Sequence, residues 1–349
     1  MRWKFWAPKD PIYMNQDRPA SLGLIGKISG GILGGYLLGC VLFAFWWDSE
    51  PDQFPVRQNA TRLAEINSDS LVTGYVTTAT VIQIGATLLG KRGGYLSNDV
   101  FPPGVWMDNV PEWEFGTIML LRDTARVYRN DFSRSQSQSA EDIDLGEAEG
   151  HFFFDARSWM LPQTESEYEQ GLEFFRAYLR RLADSGETSA QFYARADNLQ
   201  QWLQTVETRL GSLSQRLSAS VGKRQLNTDL AGDASASQAT DAPRDQLVKT
   251  DWLEIDNVFY QTRGYTWALL HMLRALEQDF GDVLDKKNAR ISLQQIIREL
   301  EPSQDPLWSP MVLNGDGLGM LANHSLVMAS YIARANAAII DLRALLIQG

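Results

Sequence analysis

The chain of 349 residues has one cysteine and three histidines. Cys40 lies inside the most apolar stretch, so everything from residue 48 onward folds without a disulfide. Thiol catalysis and cysteine-ligated metal sites are excluded there. Basic charge is also short: 32 Lys and Arg stand against 43 Asp and Glu, a net −11. That balance leaves no basic footprint for nucleic acid or an anionic lipid surface. Apolar material, by contrast, is ample. Hydrophobic residues make up 44% and include 11 Trp, 11 Tyr and 15 Phe, which rules out a disordered chain. At this length there is room for one membrane segment and a domain of about 300 residues with a full core.

Residues from Ile28 to Trp47 carry no charge. About 20 residues rising ~1.5 Å each cover the ~30 Å hydrocarbon core of a bilayer. Before this run Arg2, Lys4, Lys9, Arg18 and Lys27 outweigh Asp10 and Asp17, giving +3; after it come Asp48, Glu50 and Asp52. The positive-inside rule then predicts a cytoplasmic segment 1–27, a transmembrane helix 28–47 and an outer domain 48–349. That domain holds 41 acids and 27 bases, net −14, and so contains all of the negative excess. Trp46 and Trp47 read as interfacial anchors. Leu37-Leu38-Gly39-Cys40 loosely resembles a lipoprotein processing box, but Val-Leu-Phe-Ala-Phe-Trp-Trp follows where a processed lipoprotein turns polar. The length of the apolar run and of its lead-in also argues against a cleaved signal peptide.

Glycines recur at four-residue spacing in and before the span, as Gly26, Gly30 and Gly34 and as Gly31, Gly35 and Gly39. Small residues on one helical face let two backbones approach closely in lipid, which predicts a homodimer or a contact with another membrane protein. The plain alternative is that glycine is common in membrane helices. Cys40 is expected beside that face. A second charge-free stretch, 70–90, is interrupted by Thr73, Thr77, Thr78, Thr80, Gln83 and Thr87. It is read as a core helix. The rival reading is a second span, favoured by Lys91 and Arg92 directly after it.

The rest reads as all-α. Phe192, Ala196, Leu199, Leu203, Val206, Leu210, Leu213 and Leu217 alternate steps of four and three, as a coiled-coil seam does. Ile255, Phe259, Thr262, Thr266, Leu269, Leu273, Leu276, Phe280 and Val283 form a second run. Between them residues 223–249 are polar and free of aromatics, and are read as a disordered loop. The expected construction is a helical bundle with a long antiparallel hairpin; the alternative is that both seams are core stripes of a compact bundle. Shorter stripes predict helices around Ile118–Phe132, Tyr168–Leu182 and Met328–Leu346. Thr164 with Glu167 reads as a capping box. No internal repeat points to a solenoid.

Catalytic motifs are few. His151 and Asp155 are four apart, yet nothing completes a metal site, and a structural histidine is the favoured reading. His271, in LLHMLRAL, is expected buried. There is no G-x-S-x-G, H-E-x-x-H or Walker loop, and Asn314-Gly315-Asp316-Gly317 reads as a turn lacking further calcium ligands. No metal or cofactor is expected. The most distinctive irregular segment is GGYLSNDVFPPGVWMDNVPEWE, 93–114. Its Asp99, Asp108, Glu112 and Glu114 are candidates for a general acid and base of the kind that flank a glycosidic bond. The alternative is turn-capping by Asn98 and Asp99, with Trp106 and Trp113 packed on the bundle or forming a partner surface.

YLSNDVFPP, MDNVPEWEFG, RADNLQQWLQTVETRLGSLSQRLSASVG and NHSLVMASYIARANAAIIDLR resemble an uncharacterised family of proteobacterial inner-membrane proteins. The resemblance extends from the membrane segment to Gly349. It implies a Gram-negative envelope, which makes 48–349 periplasmic, and as a domain of unknown function it transfers no active-site residue. Two functions are expected from different classes. One is a non-catalytic scaffold or accessory subunit of an envelope complex. The other is a membrane-anchored hydrolase acting on cell-wall glycan through the 99–114 carboxylates.

Overall fold

A computed structural model describes residues 23–135, 141–184, 186, 189–226, 245–309, 311–316 and 320–348. The basic lead-in up to residue 22, most of the polar stretch (227–244) and Gly317 lie outside the described residues. The chain is all-α. The first helix, α1 (Leu24–Trp47), is followed by α2 (Val56–Asn67), α3 (Tyr75–Gly90), α4 (Asn109–Val127), α5 (Ile143–Phe152) and α6 (Thr164–Ala183). Next come α7 (Ala196–Ser218), α8 (Ile255–Asp279), α9 (Gly281–Lys286), α10 (Arg290–Leu300) and α11 (His324–Gln348). Strands β1 (Lys223–Leu226) and β2 (Asp245–Val248) pair antiparallel, with Lys223 opposite Val248. The ends of the expected loop are therefore an ordered ribbon.

The centre of the domain is α8, buried around its whole circumference from Gln261 to Leu273. Its closest neighbour is α4, where two glycines remove the side chains that would hold the helices apart. A Cβ on Gly264 would lie 1.9 Å from the Trp113 carbonyl oxygen, and one on Gly116 would lie 2.0 Å from that of Gln261. Thr117 Oγ1 donates to the Gly264 carbonyl across the same contact, at 3.2 Å. Helix α7 packs mainly along α11. The expected two-helix hairpin is thus replaced by two pairs, α4 with α8 and α7 with α11. Both sequence seams are buried, but as parts of one core.

Helix α3 settles the reading of 70–90: it packs against α6 and α8, with Val81, Ile84 and Leu88 buried. Its threonines do not resist burial, because Thr78 Oγ1 donates to the Gly74 carbonyl and Thr80 Oγ1 to that of Val76, each at 2.7 Å. Its first turn is held by Asp279 of α8, whose carboxylate accepts from Thr77 N at 2.7 Å and Thr77 Oγ1 at 2.6 Å. A carboxylate there satisfies free N–H groups and complements the positive helix end.

At the end of α4 a π-turn, Tyr128–Phe132, places two aromatics against Phe175, Phe192 and Phe280. The capping box at Thr164 does not form. Its hydroxyl donates to the carbonyls of Asp155 and Ser158, and Glu167 instead meets His151 Nδ1 at 2.8 Å. His151 is thus engaged in an ordinary polar pair. Among the described residues, two helices are long and apolar enough to cross a membrane, 26–47 and α11. Helix α11 buries Met328, Ile332, Ala335, Ile339, Leu342 and Leu346 in the domain, whereas α1 exposes nearly all of its side chains.

Candidate functional site

The chain leaves α1 and runs directly onto α8. Arg263 grips Glu50 with two bonds, at 2.7 and 2.5 Å, and donates onward to the carbonyls of Ser303 and Asp305 at 3.1 and 2.8 Å. Just over two turns later, His271 Nε2 accepts the Phe54 backbone N–H at 3.0 Å. Its other nitrogen, Nδ1, lies 2.7 Å from the Trp267 carbonyl, which can only accept. The two partners define a neutral ring protonated at Nδ1. Burial lowers its pKa to about 4. The ring also stacks on Phe54, centroids 4.0 Å apart, and Arg274 donates to Gln53 at 2.7 Å. Residues 48–54 are therefore a fixed strap between α1 and the most buried helix of the domain.

A second attachment comes from the irregular loop. Tyr36 of α1 donates to the Pro102 carbonyl at 3.4 Å, Arg92 reaches Ser49 Oγ at 3.0 Å, and Gly93 packs on the Trp47 ring. Gly93 has φ +83°, a conformation side chains rarely adopt, and a Cβ there would come within 2.8 Å of the indole. At 100° per residue, Tyr36, Cys40, Ala44 and Trp47 share one side of α1. That side faces the domain and Cys40 is buried. Cys40, expected beside the glycine face, instead lies on this side. Gly26 sits near the start of α1. At Gly30, Gly31, Gly34, Gly35 and Gly39 an added Cβ would meet nothing within 4 Å, so within this chain those glycines remain open to a second helix.

The four candidate carboxylates do not converge on one cleft. Glu114 is fully buried and pairs with the Lys91 ammonium at 2.6 Å. It also accepts from Leu96 N at 2.9 Å, Ser97 N at 2.8 Å and Ser97 Oγ. Burial pushes its carboxyl up from the usual range, and the ammonium and these donors oppose that. Glu114 is a clasp that fastens the loop to α4. Asp108 accepts from Asn109 N at 3.0 Å at the start of α4. Asp99 lies against Gly104, where a Cβ would be 1.9 Å from its carboxylate; burial and nearby Glu165 raise its pKa.

Glu112 alone lines a cleft of about 340 Å³, with Arg122, Asp155 and Arg157. Burial raises its pKa and Arg157 opposes the rise. Trp113 is buried 5.2 Å from Trp267, in line with the packed reading and not with a partner surface, whereas Trp106 is exposed. Among the described residues no group of three or more His, Cys, Asp or Glu is arranged to hold a metal ion. Sequence reading missed the roles of Glu50, Arg263 and Lys91: Glu50 and Arg263 are 213 residues apart, and Lys91 is separated from Glu114 by an irregular loop that no local periodicity describes.

Fold and site together define the class: an all-helical domain strapped to an N-terminal apolar helix long enough to cross a membrane. Residues 22–349 match the family described as "Uncharacterized protein conserved in bacteria (DUF2333)", and the chain belongs to it. No curated protein and no solved structure matches the chain.

Proposed function

We propose that this is a single-pass inner-membrane protein whose helical domain stands in the periplasm as a scaffold or accessory subunit of an envelope complex. The observation that carries the reading is the double attachment of α1, through the 48–54 strap and the 93–106 loop, which holds the domain at one height and angle to the bilayer. A tethered enzyme that must search for substrate has no need of such rigidity; a subunit that presents a surface to a neighbour does. The charge step supports the orientation, with Lys27 before the span and Asp48, Glu50 and Asp52 after it. The open glycines supply a face for a second copy or another membrane helix.

In-cell cross-linking followed by mass spectrometry tests the reading. The same neighbour is expected to be recovered from wild type and from the single amide variants Asp99→Asn, Asp108→Asn and Glu112→Gln, and to be lost or reduced with Gly35→Ile. The hydrolase reading is the rival. Soluble fragments released from purified cell-wall sacculi by the wild-type protein, and not by Glu112→Gln, would establish it in place of the scaffold.

A further inference from the structure

The loop that touches α1 does so deep within the span. Tyr36 lies eleven residues before Trp47, about 16 Å along the helix axis, and Tyr36 is the residue that holds the Pro102 carbonyl. On the sides of α1 that the loop leaves uncovered, Leu38, Leu42, Phe43 and Phe45 are exposed. If lipid covers those side chains, lipid at the same depth surrounds the loop.

The composition of the loop fits that setting. Val100, Phe101, Val105 and Trp106 are all exposed, Phe101 by 72%, and no charge lies between Asp99 and Asp108. Part of its backbone closes on itself. The carbonyls of Phe101, Pro103 and Gly104 accept from the N–H groups of Val105, Trp106 and Met107, at 3.2, 2.9 and 2.9 Å. The Pro102 carbonyl is taken by Tyr36, and Pro102 and Pro103 have no N–H to satisfy. A non-helical segment in hydrocarbon needs this kind of internal accounting, because no water is present to accept or donate. Beside it, Asn98 donates to the Ser158 carbonyl at 2.9 Å and so ties in a second loop, in which Leu161 is 90% exposed.

We infer that residues 100–106 are immersed in the acyl chains of the outer leaflet, as a wedge packed against the protein's own span. The inference rests on α1 crossing the membrane. The wedge is a second membrane contact and fixes rotation about the α1 axis, which a single span leaves free. The same surface is convex and apolar, with Val100, Phe101, Val105 and Trp106 exposed.

The test uses the full chain in a Cys40→Ala background with one cysteine at a time, at Phe101, Leu42 or Thr208, each carrying an environment-sensitive fluorophore. The protein is reconstituted in vesicles of phosphatidylcholine and phosphatidylglycerol, and the emission is challenged with doxyl-labelled lipid or with aqueous iodide. All three positions are exposed, so the cysteines leave the core intact. Thr208 on α7 calibrates the aqueous response. The inference expects the label at Phe101, like that at Leu42, to lose most of its emission to the lipid-borne quencher and little to iodide. Iodide quenching at Phe101 with lipid quenching at Leu42 would overturn the wedge and leave the span standing. Protection from both quenchers at Phe101 would also overturn it, by placing protein on that surface. Iodide quenching at both positions would remove the span itself.

Discussion

At the scale of single residues, the chain uses its ionisable groups as fasteners. Glu114 and Lys91 are both buried, and removing one partner of such a pair leaves an uncompensated charge in the core. Glu114→Gln is therefore expected to destabilise the domain by about 3 kcal/mol or more, read from denaturant unfolding. His271 makes a prediction with a sign. Its pKa is lowered to about 4 in the folded chain from about 6.5 when free. Between those values the unfolded chain binds a proton that the folded one does not, so stability rises with pH. The contribution is fully present above pH ~6.5 and is lost as pH falls towards 4, on the order of 3 kcal/mol for this group. Unfolding curves at pH 7 and pH 5 are expected to differ more for wild type than for His271→Gln. An unchanged difference would remove His271 from the account.

At the scale of elements, glycine plays two separate parts. In the domain Gly116 and Gly264 let α4 and α8 touch backbone to backbone, with a Cβ at Gly264 only 1.9 Å from a carbonyl oxygen. In α1 the glycines face open space. Gly264→Ala is expected to cost about 2 kcal/mol or more through overpacking against rigid backbone. Gly35→Ala should leave the domain's unfolding midpoint unchanged. Equal effects would mean that the two sets of glycines are not distinguished by packing as described.

Most helices were legible because a stripe at steps of three and four is a direct consequence of 3.6 residues per turn. Helices α6, α7 and α11 are examples, and their predicted apolar positions are largely buried. Their partners were not legible. A stripe shows that a face is buried but not against what, so two buried seams were paired with each other when each had a different neighbour. Helix α8 was the harder case. Thr262, Thr266 and His271 lie where burial was expected, but Gln261 and Arg263 lie off that seam and are buried too, Arg263 answered by Glu50 and Gln261 by Arg216 at 2.5 Å. The 99–114 loop was recognised as distinctive, but the roles of its residues depend on contacts with α1 and α4 that no local spacing encodes. Trp106 and Trp113 are seven residues apart in one sequence motif and lie on opposite sides of the protein surface, one exposed and one in the core.

At the scale of the whole molecule three facts meet: a helix free of charge from residue 28 to 47, a domain with net −14 beyond it, and two sets of contacts that join them. The central claim is that this domain stands outside the cytoplasm on one span. The direct measurement is labelling of Thr208→Cys, in the Cys40→Ala background, with a membrane-impermeant maleimide in cells whose outer membrane alone has been permeabilised. The account predicts labelling before the inner membrane is broken. Labelling only after inner-membrane lysis would place the domain in the cytoplasm and contradict it.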